Sequence, residues 1–424
     1  MNATKDGVMM KKTKGGLLLV KAKAVYSTDK QDYEGNGILI RDGRILETGD
    51  WLHLQETYPQ AEMLDYGECY LLPGLINTHV HLEFEPIENT RERYLSESPQ
   101  ISFLRAAKNA ETLLYSGVTT ARDAGGSYRT LELYQERARQ LADLPRLQLA
   151  GPPITITGGH LHFIPGSEAD SIDDTILAVR SRKKAGCTAI KIIVSGGQMT
   201  PGSTPEQTSY TAEQIRAMTD EAHHWSLPTF AHCLTTEGFV NAMRGGVQCI
   251  EHCACFVRNH GNGLLERVYE PAVMEQFQNE SRYFMIGISN NYHIFDHCRE
   301  NGAERSEREA FLLEQEEREC RIFERLIQLG MLPVIGTDAG CGLTYFDETW
   351  LELEILYHRC RITIPELIGA ATVNGAAALG LSEETGSIRP GLSADLIAME
   401  SDPLKDITGF RNVRHVMCRG KIIR

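Results

Sequence analysis

Eight short apolar runs, beginning near Leu72, Val118, Leu147, Ala189, Thr229, Gln248, Phe284 and Pro333, recur along the chain with longer helical patterns between them. Strand-length runs that alternate with helix-length ones favour a parallel sheet, because parallel neighbours need a long crossover and a helix supplies one. Eight of them predict an α/β fold, a (β/α)8 TIM barrel. Segments 210–226 and 307–329 carry helical periodicity, and the many charges of the second read as a solvated outer helix.

The 424 residues exceed the roughly 250 of a typical barrel, so a smaller second unit is expected. From Leu17 to about Asp65 short alternating strands are separated by turn signals, the clearest being Asp42-Gly43 between two apolar runs, a hairpin signature. Segments 393–399 and 413–423 read the same way. The chain is therefore expected to divide into a discontinuous β-sandwich domain, 1–70 with 385–424, and a barrel domain, 71–384.

A formal net charge of -14 argues against nucleic acid or an anionic membrane as partner, since both select basic patches. The run 9–20 resembles a signal peptide only until Lys21 interrupts it, and it reads as a strand. No run reaches the roughly twenty apolar residues of a membrane span. A soluble, cytoplasmic protein is expected. The 11 cysteines lack the paired spacing of a zinc site or a disulfide scaffold, so free buried thiols are expected, Cys253 and Cys255 among them.

The first run ends in His79-Val80-His81, and alternate residues on a strand point the same way. Two imidazoles at one strand end form a natural start for a divalent metal site. Active-site groups of a barrel gather where its strands end. The other runs close on Lys191, His232, His252 and Asp338. A bare ammonium at Lys191 is costly if buried. Arg122 and Asp123 close the second run and read as an internal ion pair.

Four histidines, a lysine and an aspartate at five strand ends resemble the amidohydrolase superfamily along the whole chain. Gly117-Val118-Thr119-Thr120, Thr372 to Ala377 and Gly386 to Leu396 support the likeness. The phrase from Lys191 to Gly202 is similar to the binuclear prolidase-like and imidazolonepropionase-like subgroup. That resemblance implies two divalent metal ions, zinc by default, with His79, His81 and Asp338 on one and His232 and His252 on the other. Lys191, carboxylated by carbon dioxide, would be shared between them. It further implies a carbonyl-polarising role for His160, in Gly158-Gly159-His160-Leu161-His162. By their own positions, after the third and the seventh strand, His162 and Tyr292 are further substrate-binding candidates.

The implied reaction is hydrolysis of a C–N amide bond in a small-molecule substrate by hydroxide bridging the metals, with Asp338 carrying the proton to the leaving nitrogen. Dipeptide, N-acyl amino acid, cyclic amide and urea-like compounds are the candidate substrates. Dipeptidases of the subgroup often carry a tyrosine soon after the fifth-strand histidine, where this chain has Cys233-Leu234-Thr235-Thr236. Two other functions stay open, a mononuclear deaminase of an amino-substituted heterocycle, for which Glu237 lies close to His232, and a catalytically inactive scaffold. Such folds commonly assemble, so a homo-oligomer is expected.

Overall fold

The computed structural model describes residues 16–134, 136–293 and 307–424. Eight parallel strands form its centre, in chain order Leu75–Val80, Val118–Asp123, Arg146–Leu149, Ile190–Ile193, Thr229–Cys233, Cys249–His252, Tyr283–Met285 and Leu332–Pro333. The first three make one sheet and the last five another. Main-chain hydrogen bonds join the sheets at both borders. Ile154 N–H donates to the Lys191 carbonyl at 2.9 Å, and across the other border Thr78 and His81 donate to Ile335 and Ala339 at 2.7 and 2.8 Å.

The crossovers start and stop where the local chemistry dictates. Helix Ile172–Ala185 opens on a Ser171/Asp174 capping box and ends at left-handed Gly186, and Ala212–His224 opens on Thr211/Gln214. Helix Glu307–Gln328 departs from the solvated helix expected of it. Cys320, Ile322, Phe323 and Leu326 are buried, because its apolar residues recur at helical spacing, and Glu316 and Glu319 are buried with them.

Inside the strands one apolar cluster takes a residue from or beside each of the eight: Ile76, Ala124, Ala150, Ala189, Phe230, Cys249, Met285 and Val334. This layer forms the floor beneath the polar strand ends. Outside, a larger cluster packs the strands against helices such as Pro99–Tyr115 and Thr236–Gly245.

Two further sheets are built from the chain ends, the first from N-terminal strands alone and the second from both ends. One is four-stranded and holds the hairpin of Gly37–Arg41 and Arg44–Gly49, whose turn residues Asp42 and Gly43 sit at φ of 51° and 77°. The other is six-stranded and pairs Leu396–Met399 with Tyr70–Pro73. Leu72 thus lies in that sheet, and the first parallel strand starts at Leu75, not near Leu72. Gly74 marks the change, since Thr119 leaves no room for a Cβ there. The run 1–15, including most of the stretch read as a strand from residue 9, lies outside the described residues. Among the described residues no helix is long and apolar enough to cross a membrane, and all ten cysteines are buried and free.

Candidate active site

Strict alternation would put Ile76, which faces the inner cluster, and His79 on opposite sides. The register shifts between Asn77 and Val80, and this irregularity turns His79 and His81 inward together. Their Nε2 atoms lie 3.3 and 3.2 Å from Oδ1 of Asp338, and the three ligand atoms all fall within 4.8 Å of one another. Asp338 holds an uncommon φ of 63°, fixed by its N–H bond to the His79 carbonyl at 2.9 Å.

The opposite nitrogens are tied down. His81 Nδ1–H donates to the Gly125 carbonyl at 3.0 Å, and His79 Nδ1 bonds Glu251. His232 is held the other way round, its Nε2–H donating to the Gly196 carbonyl at 3.0 Å, which leaves Nδ1 as the ligand atom. Such outer bonds select the tautomer and aim the lone pair. The His252 ring stands 5.0 Å from that of His79 and 4.9 Å from that of His232, which brings both histidine pairs to one place.

Electrostatics keep these groups ready for a cation. Burial pushes His252 down to about 3, and burial with neighbouring histidines takes His160 and His232 well below the ordinary imidazole range, so these rings are neutral. Burial would raise the Asp338 carboxyl, but His79 and His81 outweigh it and hold it far below its usual value. Lys191 is 1% exposed, its Nζ meets no hydrogen-bond partner, and burial lowers it to about 8. An orphaned, readily neutral amine among neutral imidazoles and a carboxylate suits a group that becomes an anionic ligand. The donor set fits divalent metal.

His160 lines the same cavity, about 330 Å³ in volume, with its Nδ1 3.1 Å from the Thr200 hydroxyl. His162 and Tyr292 do not line it. The His162 ring is about a third exposed near Glu168, and Tyr292 packs against the large outer core. Glu237, the residue that kept a deaminase open, lines a separate groove. Arg122 and Asp123 do not pair as expected. Arg122 crosses to Glu251 at 2.8 Å because the two residues face the interior from different strands, while Asp123 lies close to His81 and Glu83.

Three functional neighbours were not singled out from the sequence. Glu251 directly precedes His252, so alternation assigns them opposite faces, but φ of 70° at His252 turns both inward. Asn290 donates to Asp338 Oδ2 at 2.8 Å. Arg267 reaches the cavity from a hairpin, Phe256–Arg258 with Leu265–Arg267, inserted after the sixth strand. Only the polar residues of the loop around Asn290 hinted at such a role.

Comparison with known proteins places the chain in a family. The chain is 24% identical to ochratoxinase of Aspergillus niger over 429 residues, covering 93% of this chain and 84% of that protein. It is 22% identical to imidazolonepropionase of Porphyromonas gingivalis, covering 91% and 89%. Among solved structures, a Xaa-Pro dipeptidase with bound methionine superimposes with a TM-score of 0.81 at 22% identity, over 96% of this chain and all (100%) of that one. The model of the amidohydrolase family matches residues 70–423. The chain therefore belongs to the amidohydrolase family and is a hydrolase of carbon–nitrogen bonds.

Proposed function

We propose that the protein is a two-metal amidohydrolase that cleaves the amide bond of a small molecule, built on a closed (β/α)8 barrel with a β-sandwich made from both chain ends. The observation that carries this reading is the convergence of His79 Nε2 and His81 Nε2 on one oxygen of Asp338 beside the orphaned amine of Lys191. His79, His81 and Asp338 would hold one ion, His232 and His252 the other, and Lys191 both. Lys191 acquires its charge when the neutral amine bonds the carbon of CO2 and loses a proton to water. When bound, the ions supply the Lewis acidity that lets water ionise at a pH of about 7 and that polarises a carbonyl.

The two oxygens of Asp338 have separate tasks. Oδ1 faces His79 and His81, while Oδ2 is held by the Asn290 amide. The carboxylate takes the proton of the attacking water and returns it to the leaving nitrogen, giving a carboxylic acid and an amine. With the Thr200 hydroxyl donating to Nδ1, neutral His160 carries its proton on Nε2 and donates it to the carbonyl oxygen as negative charge develops there.

Elemental analysis of protein purified without chelator tests the metal centre, with about two ions per chain expected. Lys191→Ala should lower metal content as well as rate; unchanged stoichiometry would remove Lys191 from the bridging role. Asp338→Asn should fold and turn over about 10²–10⁴-fold more slowly. One ion with a plain lysine would favour a deaminase, and none a scaffold.

A further inference from the structure

Beyond the metal centre, the cavity wall carries one arginine among its described lining residues, Arg267. Its guanidinium pairs with Glu319 at 2.9 Å from Nη2, while Nε and Nη1 are buried without a hydrogen-bond partner. Only 10% of the side chain is exposed. The group is held from behind: the guanidinium lies 4.7 Å from the centre of the Phe256 ring, the main-chain N–H donates to Gln315 at 2.7 Å, and the carbonyl accepts from Arg318 at 3.3 Å. A structural ion pair needs neither the cavity position nor two unpaired donors. Buried donors without acceptors are costly, and a carboxylate is the partner that an arginine fork matches best.

With Lys191 assigned to the metals, Arg267 is the one permanent cation left for a substrate among the described lining residues. We propose that Arg267 is the anion anchor of the cavity and that the substrates are small amides bearing a carboxylate, which the guanidinium binds while the scissile bond lies at the metal centre. The inference rests on the hydrolytic reading for the second half of that statement only. Carboxylate could belong to the amine portion, as in an N-acyl amino acid, or to the acyl portion, as in an N-succinyl amine.

Calorimetric titration of the holoprotein distinguishes these sources without turnover. L-phenylalanine, L-methionine and L-proline stand for the amine-side product, succinate and glutarate for the acyl-side product, and amino-acid amides serve as controls that lack the carboxylate. One of the two carboxylate groups should bind, and Arg267→Met should weaken it by about 10–100-fold while leaving amide binding and metal content unchanged. Arg267→Lys should restore part of the affinity, and Glu319→Gln, which removes the competing carboxylate charge, should tighten it. These two variants keep the test if Arg267→Met fails to fold. Binding of neither carboxylate group, or equal binding by wild type and Arg267→Met, overturns the anchor.

Parallel hydrolysis assays compare N-acetyl-L-phenylalanine with its C-terminal amide, and N-succinylaniline with acetanilide. Hydrolysis without a carboxylate preference also overturns the anchor but leaves the hydrolase standing. Carboxylate binding that depends on Arg267, with no amide cleaved, retains the anchor and rejects the amide reaction.

Discussion

At the scale of single residues, His160 depends on a neighbour that has no side chain. A Cβ built on Gly197 would come within 2.6 Å of Cγ in the His160 ring, far inside van der Waals contact. Gly197→Ala should therefore displace the imidazole and lower kcat/KM by about 10²–10³-fold, the usual cost of losing one oxyanion donor. Metal content and Tm should stay near wild type, because the ring is not among the proposed ligands; a matching loss of metal would show that the loop supports the whole centre. Much of this scale was legible in the chain. His79, His81, Lys191, His232, His252 and Asp338 are all polar residues that close apolar runs, and all line one cavity. Glu251 was not legible, since a single left-handed residue at His252 reverses the face that alternation assigns.

Among elements, the helix Thr349–Cys360 controls the turn after the seventh strand. Glu352 on that helix accepts the N–H groups of Ile288 and Ser289 at 3.1 and 2.8 Å, and the next residue, Asn290, bonds Asp338. Burial pushes the Glu352 carboxyl from its ordinary 4.5 up to about 7, against the pull of those N–H groups. A carboxyl raised on folding binds more protons in the native state between the two values. Its contribution is full below pH about 4.5 and is lost as pH rises to about 7, a change of about 3 kcal/mol. Glu352→Gln cannot titrate, so urea denaturation at pH 5 and pH 8 should show a smaller fall in stability than in wild type. Equal falls would mean that Glu352 stays ionised throughout. Metal should be retained but kcat lowered, because one amide oxygen cannot serve both N–H groups. The strand positions were largely readable, and the two helices read from periodicity, 210–226 and 307–329, fall at Ala212–His224 and Glu307–Gln328. The hairpin carrying Arg267 was not, since its strands of three residues each are too short for an alternation signal.

The whole molecule is tied together at Asp395, where the C-terminal sheet meets the start of the third parallel strand. The nearly inaccessible Asp395 carboxylate accepts from the Arg419 N–H at 2.6 Å, the Thr385 hydroxyl at 2.9 Å and Arg146 at 3.2 Å, and its own carbonyl accepts from Gly74 N–H at 2.9 Å. That last bond falls at the junction where Tyr70–Pro73 gives way to Leu75–Val80, the strand that delivers His79. The meeting of both chain ends in one sheet was legible from their alternating patterns, but this junction was not, because Leu71 to Ile76 carries no polar residue to mark a break. A single glycine cannot act as a flexible linker between independently folding units. Asp395→Ala would leave Arg146 with only Glu384, at 3.4 Å, and an N–H without its acceptor, at a cost of about 3–5 kcal/mol. Because the Asp395 main chain is bonded to Gly74, next to the strand that carries His79 and His81, wild type and variant should each unfold in one transition, the variant at lower denaturant with an unchanged m value. Two separate transitions in the variant would show that the terminal sheets and the parallel strands hold their structure independently, and that the strand carrying His79 does not need the sheet from which it continues.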